Sequence, residues 1–214
     1  QRGYITPQEF NLFANQAQMD IFEQYFYDLN QFMRVPGNDT NHADMVDILE
    51  EKIGLFEVSK PSIGYNGGAV IPNDVYRLST VRYNRGGKHV LIERVSEKEL
   101  RTMSLGSLTK PTNINPVYVL KNNFIYFSPI TPGAFDITYI KKPKKVNWTY
   151  VVVGEKALVN PDTSSGYQDF ELHDSEETKL VIKILALAGV TLKDPSLYQI
   201  AIAEDNKNIQ QEKQ

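Results

Sequence analysis

A chain of 214 residues with 41% apolar content can bury one substantial core, or two lobes of moderate size. Its formal net charge of −3 argues against a body that wraps nucleic acid, and the absence of cysteine removes disulfides, thiolate catalysis and cysteine metal sites. No apolar run approaches the roughly 20 residues of a membrane span, so the expectation is a soluble intracellular or virion-type protein.

The first predicted element is a long helix. Thr6 is placed as N-cap, Pro7 suits the first helical position and Glu9 completes a Thr-x-x-Glu capping box. Phe10, Phe13, Ala14, Ala17, Ile21, Tyr25, Leu29 and Phe32 recur at helical spacing down to Arg34, and Val35-Pro36-Gly37 stops the run. A second apolar line of Leu12, Met19, Phe22, Phe26 and Met33 widens the stripe beyond one face. Two readings follow: burial within the chain's own domain, or contact of Phe22, Phe26 and Met33 with a neighbouring subunit. A shorter helix is expected through Met45, Ile48, Leu49 and Ile53, ending at Gly54.

A β-rich block comes next. Lys60 to Gly68 has loop composition, Ala69 to Ile71 and Val75 to Tyr83 read as strands, and Arg85-Gly86-Gly87-Lys88 is a hairpin turn returning through Val90 to Val95. Ser96 and Glu99 form a second capping box that opens a short helix. Val117 to Leu120, Phe124 to Phe127 and Phe135 to Ile140 are β-branched and aromatic runs separated by turn formers, which predicts a β-meander. Trp148 to Val153 gives another strand, and Ala157 to Gly166 reads as a surface loop. The C-terminal part is helical: Asp174 with Glu177 is the third capping box, Leu180, Val181, Ile184, Leu185 and Ala188 form an apolar face ending at Gly189, and Asp194-Pro195 opens a last helix.

The predicted fold is α+β. A long N-terminal helix and a C-terminal helix pair form a helical bundle, with an antiparallel β-rich domain inserted between them. Expected boundaries are 1–59, 60–172 and 173–214, the first and last forming one structural unit.

The sequence carries no recognisable reaction centre, so no enzyme activity, cofactor or metal is expected. Residues 3–10 imitate the second half of a calcium loop, but the acidic ligands that should precede the glycine are missing, and Glu9 is better read as a capping partner. His42, His89 and His173 do not share metal-ligand spacing, and His42 with Asp39, Asp44 and Asp47 reads as charge at a helix start. His173 beside Asp174 would serve as a general base only with a nucleophile near it, and no elbow or Gly-rich frame supplies one. Lys141, Lys142, Lys144 and Lys145 form the single basic run, either a solvated strand end or a contact for phosphate or an acidic partner.

In element order and in several runs the chain resembles the head-to-tail connector (adaptor or ring) proteins of tailed phages, the crAss-like podovirus type in particular. The resemblance lies in residues 2–32, in Val70 to Leu78, in Asn123 to Pro129, in Ile137 to Pro143 and in Lys179 to Pro195; their order carries it. It implies a virion protein that forms a ring, commonly twelve-fold, stacked beneath the portal and bridging capsid to tail. It also implies portal and tail proteins as partners, genomic DNA passing through the channel without specific recognition, no membrane, and no catalytic residues. The alternative is a tail-associated β-domain that binds a carbohydrate or host surface through Trp148, Tyr150 and Tyr65.

Overall fold

The computed structural model describes residues 5–34, 40–63, 69–85, 87–129, 134–160, 162, 165–192, 199–200, 203–204 and 206–207. The fold is mixed α+β, with a long N-terminal helix, a C-terminal helix and, between them in sequence, sheets that are antiparallel except for one short parallel pair, Glu93–Arg94 with Val117–Tyr118. It divides into two compact units, residues 1–55 with 143–214, and residues 56–142. The inserted unit is therefore shorter than the expected 60–172: residues 143–172 group with the helices.

In the helical unit, α1 spans Pro7–Arg34, the expected limits. Its capping box forms: the Thr6 N–H donates to Glu9 Oε2 at 2.8 Å and the Glu9 N–H to Thr6 Oγ1 at 3.3 Å. α2 (Thr40–Gly54) and α4 (Glu177–Leu192) pack against α1. A single 3-10 turn, Asp174–Glu176, precedes α4, and its cap is His173, whose Nδ1 accepts from the Ser175 N–H at 3.2 Å. Asp174 is thus not the cap that the sequence suggests, because the 3-10 turn moves the helix start back. α4 also runs past Gly189 to Leu192. Much of the expected last helix, including Asp194 to Tyr198, lies outside the described residues.

The same unit holds a hairpin of β9 (Tyr150–Val153) and β10 (Lys156–Val159), which make a two-stranded sheet by themselves. The strand expected before Val153 is present, but residues 156–159 are its partner and not a loop. The turn is Gly154-Glu155, both at positive φ (55° and 62°), the geometry of the two-residue turn that matches strand twist.

The other unit contains two four-stranded sheets, ordered β1-β8-β3-β4 and β2-β7-β6-β5. Here β1 is Glu57–Ile63, β2 Ala69–Val70, β3 Val75–Arg85, β4 Lys88–Leu91, β5 Glu93–Arg94, β6 Val117–Lys121, β7 Phe124–Ser128 and β8 Ala134–Lys141. The expected three-stranded meander is only partly present. β6 and β7 pair across Asn122-Asn123, both at positive φ, but β8 lies in the first sheet between β1 and β3. Its inward residues Phe135, Ile137 and Tyr139 are wholly buried, and they join Tyr118, Ile125 and Phe127 of the second sheet in one core. Phe135 stacks on Phe127 with ring centroids 3.8 Å apart, a contact that requires β8 to face β7 rather than lie beside it. α3 (Glu97–Leu105), opened by the Ser96/Glu99 box, covers the outer face of β6 by packing Leu100 and Met103 on Val95, Val117 and Val119. The Ser96 N–H donates to the Glu99 carboxylate at 2.7 Å, and this bond, with the Ser96 hydroxyl, holds that carboxyl below its ordinary range.

Candidate functional site: an exposed apolar hairpin

The β9–β10 hairpin is built on a platform of side-chain amides. Asn11, Asn15 and Gln18 lie on one face of α1 and bond every second residue of the segment that leads into β9. Asn15 accepts from the Val146 N–H at 2.8 Å and donates to the Val146 carbonyl at 2.8 Å. Asn11 accepts from the Trp148 N–H at 2.8 Å and donates to its carbonyl at 3.2 Å. Gln18 donates to the Lys144 carbonyl at 2.8 Å and accepts from the Glu171 N–H at 3.1 Å. The helix thereby satisfies a stretch of backbone whose one strand-type partner among the described residues is the bridge between Asn147 and Gln168.

Above that platform, Trp148 is held edge-on by Phe10 at 5.9 Å and stacks on Tyr150 at 5.8 Å. Thr149 accepts from the Asn160 N–H at 2.9 Å, and its hydroxyl donates to the Asn160 carbonyl at 2.6 Å, closing the hairpin root. Beyond this point nothing among the described residues covers the strands. Every residue of β9 is exposed, Val152 at 67%, and so are Leu158 and Val159. Tyr150 and Val152 point to one face and Val151 and Val153 to the other, so the ribbon is apolar on both sides. A lone two-stranded ribbon is marginal in water. Its exposed apolar side chains amount to on the order of 500 Å², shared between the two faces, so each face alone is within what a monomer ordinarily presents as one patch.

A second apolar projection belongs to the other unit. Leu105 at the end of α3 and Leu108 in the following loop are 90% and 99% exposed, and Ile114 is exposed as well. The loop is held from within: Thr109 Oγ1 donates to the Met103 carbonyl at 3.0 Å.

The residues expected to meet a neighbour behave differently. Phe22 and Phe26 are buried, in mutual edge-to-face contact at 5.1 Å, and only Met33 is exposed, at 69%. The outward stripe of α1 is Gln8, Leu12, Gln16, Asp20, Glu23, Tyr27, Gln31 and Arg34. This corrects the reading of Phe22 and Phe26 as interface residues: both are buried within the chain, α2 and α4 pack on α1, and the face left over is mainly polar, with Leu12, Tyr27 and Met33 exposed singly among its polar residues.

The basic run is divided. Lys141 and Lys142 belong to the β-rich unit and Lys144 and Lys145 to the helical one. Lys144 pairs with Glu171 at 3.6 Å, while Lys142 and Lys145 are exposed. Of the titratable groups, His89 pairs with Asp136 at 3.0 Å and His173 caps the turn before α4, whereas Asp39 and the side chain of His42 lie outside the described residues. No group of three or more such ligands converges among the described residues. Lys60 lies 5.5 Å over the ring of Tyr139, and a hydrogen bond with that phenol raises its pKa; Tyr139 in turn donates to Asp74 at 3.1 Å but is wholly buried. A hollow of about 340 Å³ beside the start of α3 is lined by Arg94, Ser96, Glu97 and Lys121, and the capping box already engages the helix end there. Tyr65, the third member of the suggested sugar platform, lies outside the described residues, and Trp148 is built into the hairpin root.

Sequence reasoning missed β10, the amide platform and the leucine loop. The signal for β10 was present: Gly154-Glu155 between two apolar runs is a hairpin pattern. No protein-family model matches the chain, and no curated protein sequence matches it.

Proposed function

We propose that this chain is a structural, non-enzymatic subunit of a phage head-to-tail connector, assembling with copies of itself into a ring between portal and tail. The observation that carries the reading is the β9–β10 hairpin, which holds Tyr150, Val151, Val152, Val153, Leu158 and Val159 in water on a rooted support. Exposed apolar side chains held on a rooted arm suit an assembly subunit, which gains a contact from them. The exposed Leu105 and Leu108 support the same reading from the other unit, and the order of helices around a β insert agrees with the resemblance in sequence. α1 adds little to this, because Leu12, Tyr27 and Met33 are exposed on it singly among polar residues rather than as one apolar patch. Mild acidity suits a conduit, since a channel that neutralised phosphates would retain the genome.

Sedimentation velocity of the purified chain, alone and with the phage portal protein, tests the reading. The expected result is a closed oligomer in at least one of the two conditions. A monomer in both, at concentrations up to about 100 μM, a range in which even weak specific contacts register, removes it.

A further inference from the structure

Among the described residues, each sheet edge in the β-rich unit carries a device that discourages pairing. β1 contains Lys60 and Pro61 with a register shift before Ile63, β4 begins Lys88-His89, and β2 and β5 are two residues long. The hairpin of the helical unit has none of these. β9 is Tyr-Val-Val-Val, and the charges of the ribbon, Glu155 and Lys156, sit at its turn.

The direction of its free groups follows from the ladder. Asn160 donates to Thr149, so that pair is hydrogen-bonded, and with the register Val159↔Tyr150, Leu158↔Val151, Ala157↔Val152 the bonded pairs alternate. Tyr150 and Val152 therefore turn their N–H and C=O groups outward on one edge, and Ala157 and Val159 on the other.

We infer that these edges pair with a second copy of this chain, β9 of one copy beside β10 of the next. Because the two strands of a hairpin run in opposite directions, copies arranged around an axis along the strands give an antiparallel neighbour at every junction. The last copy meets the first, and no edge remains. The size of the junction favours closure over a pair: one contact between two four-residue strands is far smaller than the roughly 800 Å² per partner of a standard interface, and a closed ring gives every copy two such contacts. This inference rests on the ring reading and adds to it the element that joins the copies.

The test uses two proline variants of the full chain. Val152→Pro and Ala157→Pro each delete an outward N–H and leave the hairpin's own bonds in place. Native mass measurement, with the portal protein present if wild type needs it, should show rings for wild type. Each variant alone should lose at least nine-tenths of the ring, and an equimolar mixture should give nothing larger than a dimer, since one intact junction remains. Rings formed equally well by both variants overturn the edge pairing and leave the connector reading standing. Loss with Val152→Pro but not Ala157→Pro overturns the head-to-tail arrangement in favour of a two-fold one. Wild type that stays monomeric even with the portal removes both readings. Should either variant misfold, hydrogen exchange on wild type decides. In the ring the amides of Tyr150, Val152, Ala157 and Val159 should exchange at least tenfold more slowly than in the free chain, and unchanged rates contradict the pairing.

Discussion

Asn15 illustrates how a single polar side chain inside this protein earns its position. Its amide both accepts from and donates to Val146, so no hydrocarbon replacement satisfies the two backbone groups at once. Asn15→Leu should destabilise the chain by about 2–4 kcal/mol, because two partly buried polar groups are orphaned at about 1–3 kcal/mol each. Asn15→Asp, which still accepts from the Val146 N–H but cannot donate to its carbonyl, should fall between wild type and Asn15→Leu. Urea unfolding midpoints check the ranking, and a neutral Asn15→Leu would mean that the platform does not hold the segment. None of this was legible from sequence. Apolar periodicity marks a buried face, but an amide on that face gives no indication of which backbone it serves, and its partners are 126 to 153 residues away. The capping boxes are the opposite case. Thr6/Glu9 and Ser96/Glu99 were readable because cap and partner are three residues apart and need nothing else.

At the scale of elements, legibility follows the same division. α1 came out with its limits because its caps and its period are local signals. The β6–β7 hairpin did too, since Asn122 and Asn123 accept the left-handed backbone that its turn demands. β8 was assigned as a strand but given the wrong neighbours. Alternating Phe135, Ile137 and Tyr139 defines a buried face, yet the same pattern serves a strand beside β7 or one facing it. The breadth of the apolar surface on α1 was also real, but its burial by α2 and α4 is a tertiary fact that no helical wheel contains. One long-range pair joins these helices. Lys52 of α2 meets Glu176, whose side chain is 4% exposed at the entry to α4, and the Lys52 ammonium lies 5.8 Å over the ring of Tyr25. Glu176→Ala leaves a largely buried ammonium without its counter-charge and should cost about 3–5 kcal/mol. Glu176→Gln, which keeps an acceptor, should cost less. Equal unfolding midpoints for Glu176→Ala and wild type would show that the pair is solvated in solution.

For the whole molecule, the informative contrast is between edges that are guarded and a ribbon that is not. A sequence with four protected sheet edges and one bare, apolar hairpin concentrates its capacity for strand pairing in a single place. Phe22 and Phe26, expected to meet a neighbour, are buried, and among the described residues the exposed run of apolar side chains lies on the hairpin instead. It was hidden because β10 was read as loop, and a lone strand at 150–153 suggests a sheet partner rather than an arm. Electron cryo-microscopy of the assembled particle, with this protein's density traced, tests the account most directly. The expected result is a closed ring of copies below the portal in which β9 of each copy pairs with β10 of the next. A single copy, or a ring in which that hairpin stands free in solvent, would contradict it.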